Sequence, residues 1–255
     1  MQRPDVPASL CMVMVIVLGL MVGPMTAFTH SAAIGDCTVR KITVWGRKSS
    51  SNVQSVLWCL EELGLPYRRI DAGLTYGVVN TAAFLAMNPN GKVPVIVDGD
   101  NAPIFEAGAV LRYLASQYGT APFWPEAPAA RAEIDKWAEW AKINFASAFI
   151  ANVFWRLVRT PPSQRDYSAI AEALTAIEAQ LALADTALAT RAYLAGDDFS
   201  LADIQFGHCL YRYYDIDMPR RHLPHLRAYY DRLRDRPAFV SRVMVSYDEL
   251  RVIDG

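Results

Sequence analysis

The stretch NPNGKVPVIVDG, residues 88–99, places a proline at the head of an apolar run that is typical of a buried strand. Proline has no backbone N–H, so within sheets it is confined to strand starts, edges and bulges. Pro94 is therefore either an ordinary strand start or a residue that serves a special backbone geometry. The turn signal at residues 98–101 predicts a hairpin over residues 93–106.

The segments around this hairpin alternate between strand and helix patterns. Ser51 and Gln54 fit an S-x-x-Q capping box, which predicts that the first helix begins at Ser51. Beyond the hairpin arms, the predicted strands are residues 39–46 and 67–71, and the predicted helices are residues 51–63, 80–88 and 106–119. The order β-α-β-α-β-β-α over residues 39–119 predicts a thioredoxin-like domain with a mixed four-stranded sheet.

After residue 119 the strand patterns largely disappear. Residues 120–130 are rich in proline and are expected to be a linker, and residues 131–255 are expected to form an all-α domain. Ser200 and Asp203 fit a second capping box at the start of one of its helices. The first helix of this domain is predicted over residues 131–157. The predicted fold class is therefore an α/β domain followed by an all-helical one.

Composition excludes several classes of function. The chain has 255 residues, 53% of them hydrophobic, and a net charge of −1 from 25 basic and 26 acidic residues. This balance gives no electrostatic case for binding nucleic acid. The four cysteines, at positions 11, 37, 59 and 209, have neither a disulfide pattern nor the spacing of a metal site. We therefore expect reduced thiols, a cytoplasmic location and no bound metal.

Residues 1–38 form an N-terminal extension that is kept out of the fold prediction. Its uncharged apolar run, Leu10–Gly23, is shorter than the about 20 residues that a membrane-spanning helix needs. Three interpretations stay open: a start codon assigned too early, with translation from Met21 or Met25; a secretory signal with a poor cleavage site at residues 31–33; or a membrane anchor. Membrane association through residues 10–23, or export, is thus the alternative to a cytoplasmic protein.

Five motifs together resemble those of the glutathione S-transferase family, in its cytosolic, bacterial, serine-type form. They are SSSNVQSVLWCLEELGLPY (49–67), NPNGKVPVIVDG (88–99), FEAGAVLRYLA (105–115), FWPEAPAARAEIDKWAEW (123–140) and YLAGDDFSLADI (193–204). The resemblance covers nearly all of the chain after residue 39. It implies an enzyme that stabilises the thiolate of glutathione and transfers it to an apolar electrophile, with glutathione as co-substrate, no metal and a homodimeric assembly.

Other functions stay open beside this one. A glutathione-dependent dehalogenase, isomerase or peroxide reductase would use the same residues. A non-catalytic binding protein with the same fold, carrying hydrophobic ligands or contacting other proteins, is the alternative from a different class.

The resemblance also implies which residues bind glutathione. The Val93–Pro94 bond is expected to be cis, so that the backbone of Val93 pairs with the cysteinyl backbone of the tripeptide. Lys92 is expected to reach the glycyl carboxylate, and Glu106 the γ-glutamyl ammonium. Ala107 stands where the family usually has a serine, which predicts weakened affinity because one charge-assisted hydrogen bond is lost.

The serine run carries the implied catalytic group. Ser50 aligns with the family's catalytic serine, and Asn52 with an asparagine that some bacterial members use near the sulfur. A hydroxyl at a helix N-terminus can donate to a thiolate in a region of positive potential. Ser51 is expected to cap the helix, and Ser49 is the alternative if the loop is shifted by one residue. Cys59 is expected to lie in the core.

The second substrate is expected between the two domains, against the first long helix of the all-α domain. Aromatic side chains at helical spacing are more often core than pocket, so most of those on this helix are expected to be buried. The candidate pocket residues are Trp137, Trp140 and Phe145, with Phe149, Phe154, Tyr211, Tyr213 and Tyr214 as further candidates.

Overall fold

The structure is a computed structural model, and it describes residues 42–252. The interpretations of the N-terminal extension, including its apolar run, fall on residues outside this range. Among the described residues, no helix is long and apolar enough to cross a membrane.

A four-stranded mixed sheet forms the first part of the fold. The strands are β1 (Ile42–Trp45), β2 (Tyr67–Ile70), β3 (Val95–Asp98) and β4 (Ile104–Phe105). Their order is β2-β1-β3-β4, with β1 and β2 parallel and the other two pairs antiparallel. The helices are α1 (Ser51–Glu62), α2 (Ala82–Met87) and α3 (Ala107–Tyr118). The predicted β-α-β-α-β-β-α order and the hairpin turn at residues 98–101 are confirmed.

Alternation along β3 divides the apolar side chains between the two faces of the sheet. Ile96 joins the large core that contains the buried side chains of α1 and α3. Its neighbour Val95 joins a small second cluster with Phe84 of α2. Because successive side chains of a strand point to opposite faces, this one strand anchors helices on both sides of the sheet.

The second part of the fold is helical. Its elements are α4 (Pro128–Trp140), two π-helical segments (Ala141–Ser147 and Ile150–Phe154), α5 (Trp155–Val158), α6 (Tyr167–Leu188), α7 (Leu201–Gly207), α8 (Leu210–Asp215), α9 (Pro224–Arg234) and α10 (Pro237–Arg242). The first helix begins at Pro128 rather than at Arg131. A proline at the first helical position loses no hydrogen bond, so the linker ends earlier than predicted.

Side chains of α1 and α10 join the two parts. Trp58 is fully buried, and its ring lies 4.9 Å from that of Phe239 in an edge-on contact. The Trp58 indole N–H donates to Glu62, which also pairs with Arg236 at 2.6 Å. The buried side chains of both parts belong to one continuous core.

The predicted capping box at Ser200 and Asp203 is confirmed. The Asp203 carboxylate also accepts hydrogen bonds from residues outside the cap. One Asp203 oxygen accepts hydrogen bonds from the backbone N–H (2.8 Å) and the hydroxyl (3.0 Å) of Ser200. The other accepts from the backbone N–H of Leu194 and the hydroxyl of Tyr229, both at 2.9 Å. The carboxylate therefore joins three segments inside the helical part.

Replacing this carboxylate should destabilise the protein. We expect Asp203→Ala to lower the free energy of unfolding by about 2–4 kcal/mol, because the cap is lost and buried donors are left unpaired. Chemical denaturation measures the change. Asp198→Ala is the matched control, since Asp198 is exposed on the same loop, and it should change stability by less than about 0.5 kcal/mol. Equal effects of the two substitutions would contradict the structural role of Asp203.

Candidate active site

The serine run forms the entry to α1, with a shift of one residue from the predicted cap. Ser50 is the N-cap residue, with extended backbone angles (φ −82°, ψ 120°), and Ser51 is the first helical residue. The capping box expected from Ser51 and Gln54 is therefore wrong. The Gln54 side chain instead donates to the carbonyl of Lys48 at 2.9 Å, and so closes the loop from inside.

The three serine hydroxyls have different surroundings. Ser49 donates to the carboxylate of Glu249. Ser51 hydrogen-bonds the thiol of Cys209. The Ser50 hydroxyl caps no backbone N–H and makes no hydrogen bond to another residue in the described part of the chain. Of the three, it is the hydroxyl that a ligand can engage without breaking an existing bond.

Ser50 lines a cavity of about 480 Å³, called here the serine cavity. Asn52, Lys92 and Val93 line it from the sheet domain, and Ile150 and Trp155 line it from the helical part. The structure thus brings together four of the predicted site residues at the N-terminus of α1: Ser50, Asn52, Lys92 and Val93.

A second cavity, of about 240 Å³, lies beside the first and is called here the Glu106 cavity. Both cavities share Ser51, Asn52 and Ile150 as wall residues. Glu106 and Lys142 line the second cavity, so the residues expected to bind the two ends of a tripeptide lie on either side of Asn52.

The Val93–Pro94 peptide bond is cis, as predicted. Sheet pairing of the following strand begins only at Val95. The backbone N–H and C=O of Val93 make no hydrogen bond to another described residue, and the side chain is half-buried. The loop before them is fixed by Asn88, whose side-chain amide donates to the carbonyl of Lys92 at 2.7 Å. Val93 therefore presents free main-chain groups at the wall of the serine cavity.

Glu106 has an unusual backbone for a residue with a side chain. It is the N-cap of α3 at φ 67°, in the left-handed region that favours glycine. Backbone strain of this kind is concentrated at functional sites. Its carboxylate lies 3.7 Å from the ammonium of Lys142, and Ala107 follows it as the buried first residue of the helix. A carboxylate, an ammonium and a helix N-terminus therefore meet in the Glu106 cavity.

The predicted pocket aromatics lie elsewhere. Phe145 is fully buried between Phe149 and Phe206 in the core, so its assignment to a pocket is corrected. Trp137 and Trp140 are half-buried, pack edge to face at 5.2 Å, and line neither cavity. Helical spacing alone did not indicate which face of this helix meets the site.

Most of the further aromatic candidates are also in the core. Phe149, Phe154 and Tyr213 are buried, and the Tyr213 hydroxyl donates to Glu178 at 2.8 Å. Tyr211 and Tyr214 pack against this core and line neither cavity. The aromatic ring in the wall of the serine cavity belongs to Trp155.

Three arginines that the sequence prediction missed also line the serine cavity: Arg47, Arg159 and Arg212. Arg212 of α8 is fully buried, donates to the carbonyl of Ser49, and lies 4.6 Å above the ring of Phe154. Burial lowers the pKa of Arg47, and it lowers the pKa of Arg212 to about 10, so Arg212 stays protonated at neutral pH. In the sequence, Arg47 lies directly between β1 and the serine run. Its position is the one feature that could have indicated arginines at this cavity.

Two titratable groups in the wall of the Glu106 cavity are held neutral by burial. His208 has its pKa lowered to about 4, chiefly by desolvation, and its Nδ1 lies 3.2 Å from the carbonyl of Ile204. Burial likewise raises the pKa of the Cys209 thiol to about 12. Neither is placed to exchange a proton or act as a nucleophile at neutral pH.

These environments predict that Cys59 and Cys209 do not react in the folded protein. Both are fully buried, and burial raises the pKa of each thiol, so the thiolate that attacks an alkylating agent is scarce. Treatment with iodoacetamide at pH 8, followed by peptide mass spectrometry, should leave both unlabelled, whereas the protein unfolded in guanidinium should be labelled at both. Rapid labelling of Cys209 in the native protein would contradict the described packing beside Ser51.

The sheet, the helical part and the cavities at the N-termini of α1 and α3 define a two-domain protein with a thioredoxin-like first domain. Residues 40–116 match the family model of the glutathione S-transferase N-terminal domain, and residues 146–237 match that of the C-terminal domain. The chain belongs to the glutathione S-transferase family, a family of enzymes that transfer groups to glutathione, which confirms the resemblance seen in the motifs.

Relatives of known name cover most of this chain. It is 42% identical over 205 residues to glutathione S-transferase GstB of Escherichia coli K12, across 80% of this chain and 98% of that protein. It is 33% identical over 213 residues to glutathione S-transferase 3 of Zea mays, across 79% and 93%. The theta class glutathione S-transferase of Xanthomonas axonopodis pv. citri, solved with glutathione bound, is 45% identical at a TM-score of 0.77, across 81% of this chain and 99% of that one.

Proposed function

We propose that this chain binds glutathione across the serine and Glu106 cavities, stabilises its thiolate with Ser50, and transfers the thiolate to an electrophile. The observation that carries the proposal is the unengaged Ser50 hydroxyl, at the N-terminus of α1 and in the same wall as the free main-chain groups of Val93. The solved theta class relative with bound glutathione supports the choice of ligand.

Activation of the sulfur follows from three sources of positive potential. A free thiol of this kind has a pKa of about 8.5, so at neutral pH little of it is thiolate. The Ser50 hydroxyl donates a hydrogen bond to the thiolate, and the N-terminus of α1 adds about half a positive charge. Asn52, exposed in the first turn of α1, adds a side-chain amide donor within the same wall. Each interaction favours the charged form, so together they lower the thiol pKa.

The remaining residues orient the tripeptide. The N–H and C=O of Val93 pair with its cysteinyl backbone as an added strand would, beside Pro94, and Lys92 attracts the glycyl carboxylate. Glu106 accepts the γ-glutamyl ammonium. The backbone N–H of Ala107 and the ammonium of Lys142 receive the γ-glutamyl carboxylate. Ala107 has no hydroxyl at the position where the family usually has a serine. Lys142 thus supplies a charge-assisted hydrogen-bond donor in its place.

The electrophile lies against Ile150 and Trp155 in the serine cavity. Holding it beside the activated sulfur converts a bimolecular reaction into one within a complex, and this proximity contributes much of the acceleration. The sulfur forms a bond to the electrophilic carbon, and the leaving group departs with its electron pair. No metal is required for this step.

Ser50→Ala should reduce turnover most at neutral pH. We expect kcat/KM for an aryl halide to fall about 10- to 100-fold near pH 7, because a hydrogen bond to a charged group is worth about 1.5–3 kcal/mol. The loss should shrink as the pH rises past about 8.5, where glutathione ionises without help. The ultraviolet absorbance of bound thiolate, followed against pH, measures the rise of the thiol pKa directly.

Substitutions of nearby serines make this test specific. Ser55→Ala is the matched control, since the Ser55 hydroxyl is buried one turn further along α1 and bonds to the carbonyl of Asn52. It should leave the thiol pKa unchanged. A larger rise of the thiol pKa in Ser49→Ala or Ser51→Ala than in Ser50→Ala would overturn the assignment.

Lys142→Gln should weaken glutathione binding. We expect the KM for glutathione to rise about tenfold or more with little change in kcat, because Lys142 contacts the part of the tripeptide remote from the sulfur. Adding Ala107→Ser to the same variant should recover part of the affinity. Lys136→Gln, an exposed lysine on α4, is the control and should leave the KM unchanged. An unchanged KM in Lys142→Gln would show that Lys142 does not replace the hydrogen bond that is lost with Ala107.

The second candidate function is a non-catalytic binding protein, which Ala107 favours because it removes a glutathione contact. Retention on immobilised glutathione, combined with a conjugation assay, separates the two. Binding without turnover of any aryl halide, alkyl halide or peroxide would support the second function. The homodimer and the cytoplasmic location implied by the family stay predictions, as does the choice between conjugation and the related dehalogenase or peroxide reductase chemistry.

A further inference from the structure

The wall of the serine cavity carries an excess of positive charge. Arg47, Arg159, Arg212 and Lys92 line it, and no aspartate or glutamate is among its lining residues in the described part of the chain. The carboxylate of Glu249 lies close to Arg47 but accepts its hydrogen bond from Ser49. A cavity built only for an apolar molecule would not need such a wall, because desolvating unpaired cations is costly.

The two buried arginines, Arg47 and Arg212, lack the carboxylate partners that buried arginines usually have. Among the described residues, none of the three forms a salt bridge with a carboxylate. The Nε atoms of Arg47 and Arg212 are buried without a hydrogen-bond partner. The exposed fraction of Arg47 is 9%, so this residue is almost fully removed from solvent. Unpaired buried donors of this kind are rare and call for a partner that the described residues do not supply.

Arg159 lies beside an aromatic ring, and Arg47 lies beside a glycine. Arg159 stacks on the ring of Trp155, with its guanidinium carbon 5.1 Å from the ring centre. Arg47 extends its Nη1 towards Gly73, where an added Cβ would come within 3.1 Å of that nitrogen. The glycine therefore leaves room for the guanidinium at the cavity wall. Donors for an anion and an aromatic face for an apolar body thus stand side by side near Ser50.

We propose that the electrophile that this enzyme uses carries an anionic group, a carboxylate on an aromatic or short alkyl body, and that Arg47 and Arg159 bind this group. The proposal rests on the proposed function, because it names the substrate class of the same site. Arg212 is fixed by the carbonyl of Ser49, so its charge acts on the cavity without moving towards the substrate. The glycyl carboxylate of glutathione is the competing anion, and Lys92 is the cation available for it.

The test compares two electrophiles of the same shape, 4-chloro-3-nitrobenzoate and 4-chloro-3-nitrobenzamide. With either, the glutathione thiolate forms a carbon–sulfur bond and chloride leaves with the bonding electron pair, after the thiol proton has gone to solvent. Each kcat/KM is divided by the uncatalysed rate of that compound with glutathione. The wild type should prefer the benzoate by about tenfold or more, as expected for a charge-assisted pair.

Variants assign the preference to residues. Arg47→Gln and Arg159→Gln should each reduce the benzoate preference, the ratio of the two corrected kcat/KM values, at least about fivefold. Arg156→Gln, an exposed arginine one turn earlier that lines neither cavity, is the control and should keep the preference. Arg159 is itself exposed, so Arg159→Gln tests the proposal even if Arg47→Gln folds poorly.

Each other outcome has a definite meaning. Equal use of both compounds by the wild type would overturn the proposal. A rise in the KM for glutathione with both compounds would show that the arginines bind the glycyl carboxylate, and would also overturn it. If neither of these compounds nor any other aryl halide, alkyl halide or peroxide is turned over, the proposed function fails. Calorimetry at saturating glutathione then tests the anion site without requiring catalysis, because it compares the affinities for 4-nitrobenzoate and 4-nitrobenzamide. Equal affinities for the two compounds would overturn the proposal.

Discussion

The buried guanidinium of Arg212 is the interaction on which the site depends. It reaches from α8 to the carbonyl of Ser49, and it lies 3.5 Å from the side-chain oxygen of Gln54. Gln54 in turn donates to the carbonyl of Lys48, so the serine loop is fixed from both sides. Ser50, the next residue, is thereby held as the N-cap of α1 with its hydroxyl in the cavity wall. The sheet domain supplies the serine, but the helical part fixes its position.

The same contact has an electrostatic consequence. Arg212 has no carboxylate partner among the described residues, and its charge is offset by the rings of Phe154 and Tyr247, at 4.6 and 5.6 Å, and by a carbonyl. Rings and carbonyls stabilise a cation without cancelling its charge. The positive potential therefore persists at the serine loop, where it favours a thiolate, as the N-terminus of α1 does. One residue thus both orients the loop and keeps a positive potential beside Ser50.

Local patterns predicted the sheet domain and part of the site. The hairpin and the capping box of Asp203 follow from residues close together in the chain, and the resemblance to the family implied the cis bond before Pro94. What the sequence did not give comes from contacts between distant residues. Arg212 and Ser49 are 163 positions apart, and the choice of Ser50 over Ser51 as the cap depends on partners, Cys209 among them, from the far end of the chain. No spacing within a single segment encodes those pairs.

The long helix shows why the pocket in particular escaped prediction. A regular period of 3.6 residues groups Trp137, Trp140 and Phe145 by spacing, but the helix changes to π-helical turns at Ala141–Ser147 and again at Ile150–Phe154. Each wider turn rotates the following side chains about the helix axis relative to a regular helix, and such segments are frequent at functional sites. The residues that reach the two cavities, Lys142, Ile150 and Trp155, lie within or directly after these segments. The irregular backbone therefore sets the chemistry of the cavity walls, because it directs an ammonium, an aliphatic side chain and an aromatic ring into them while the remaining aromatics stay in the core.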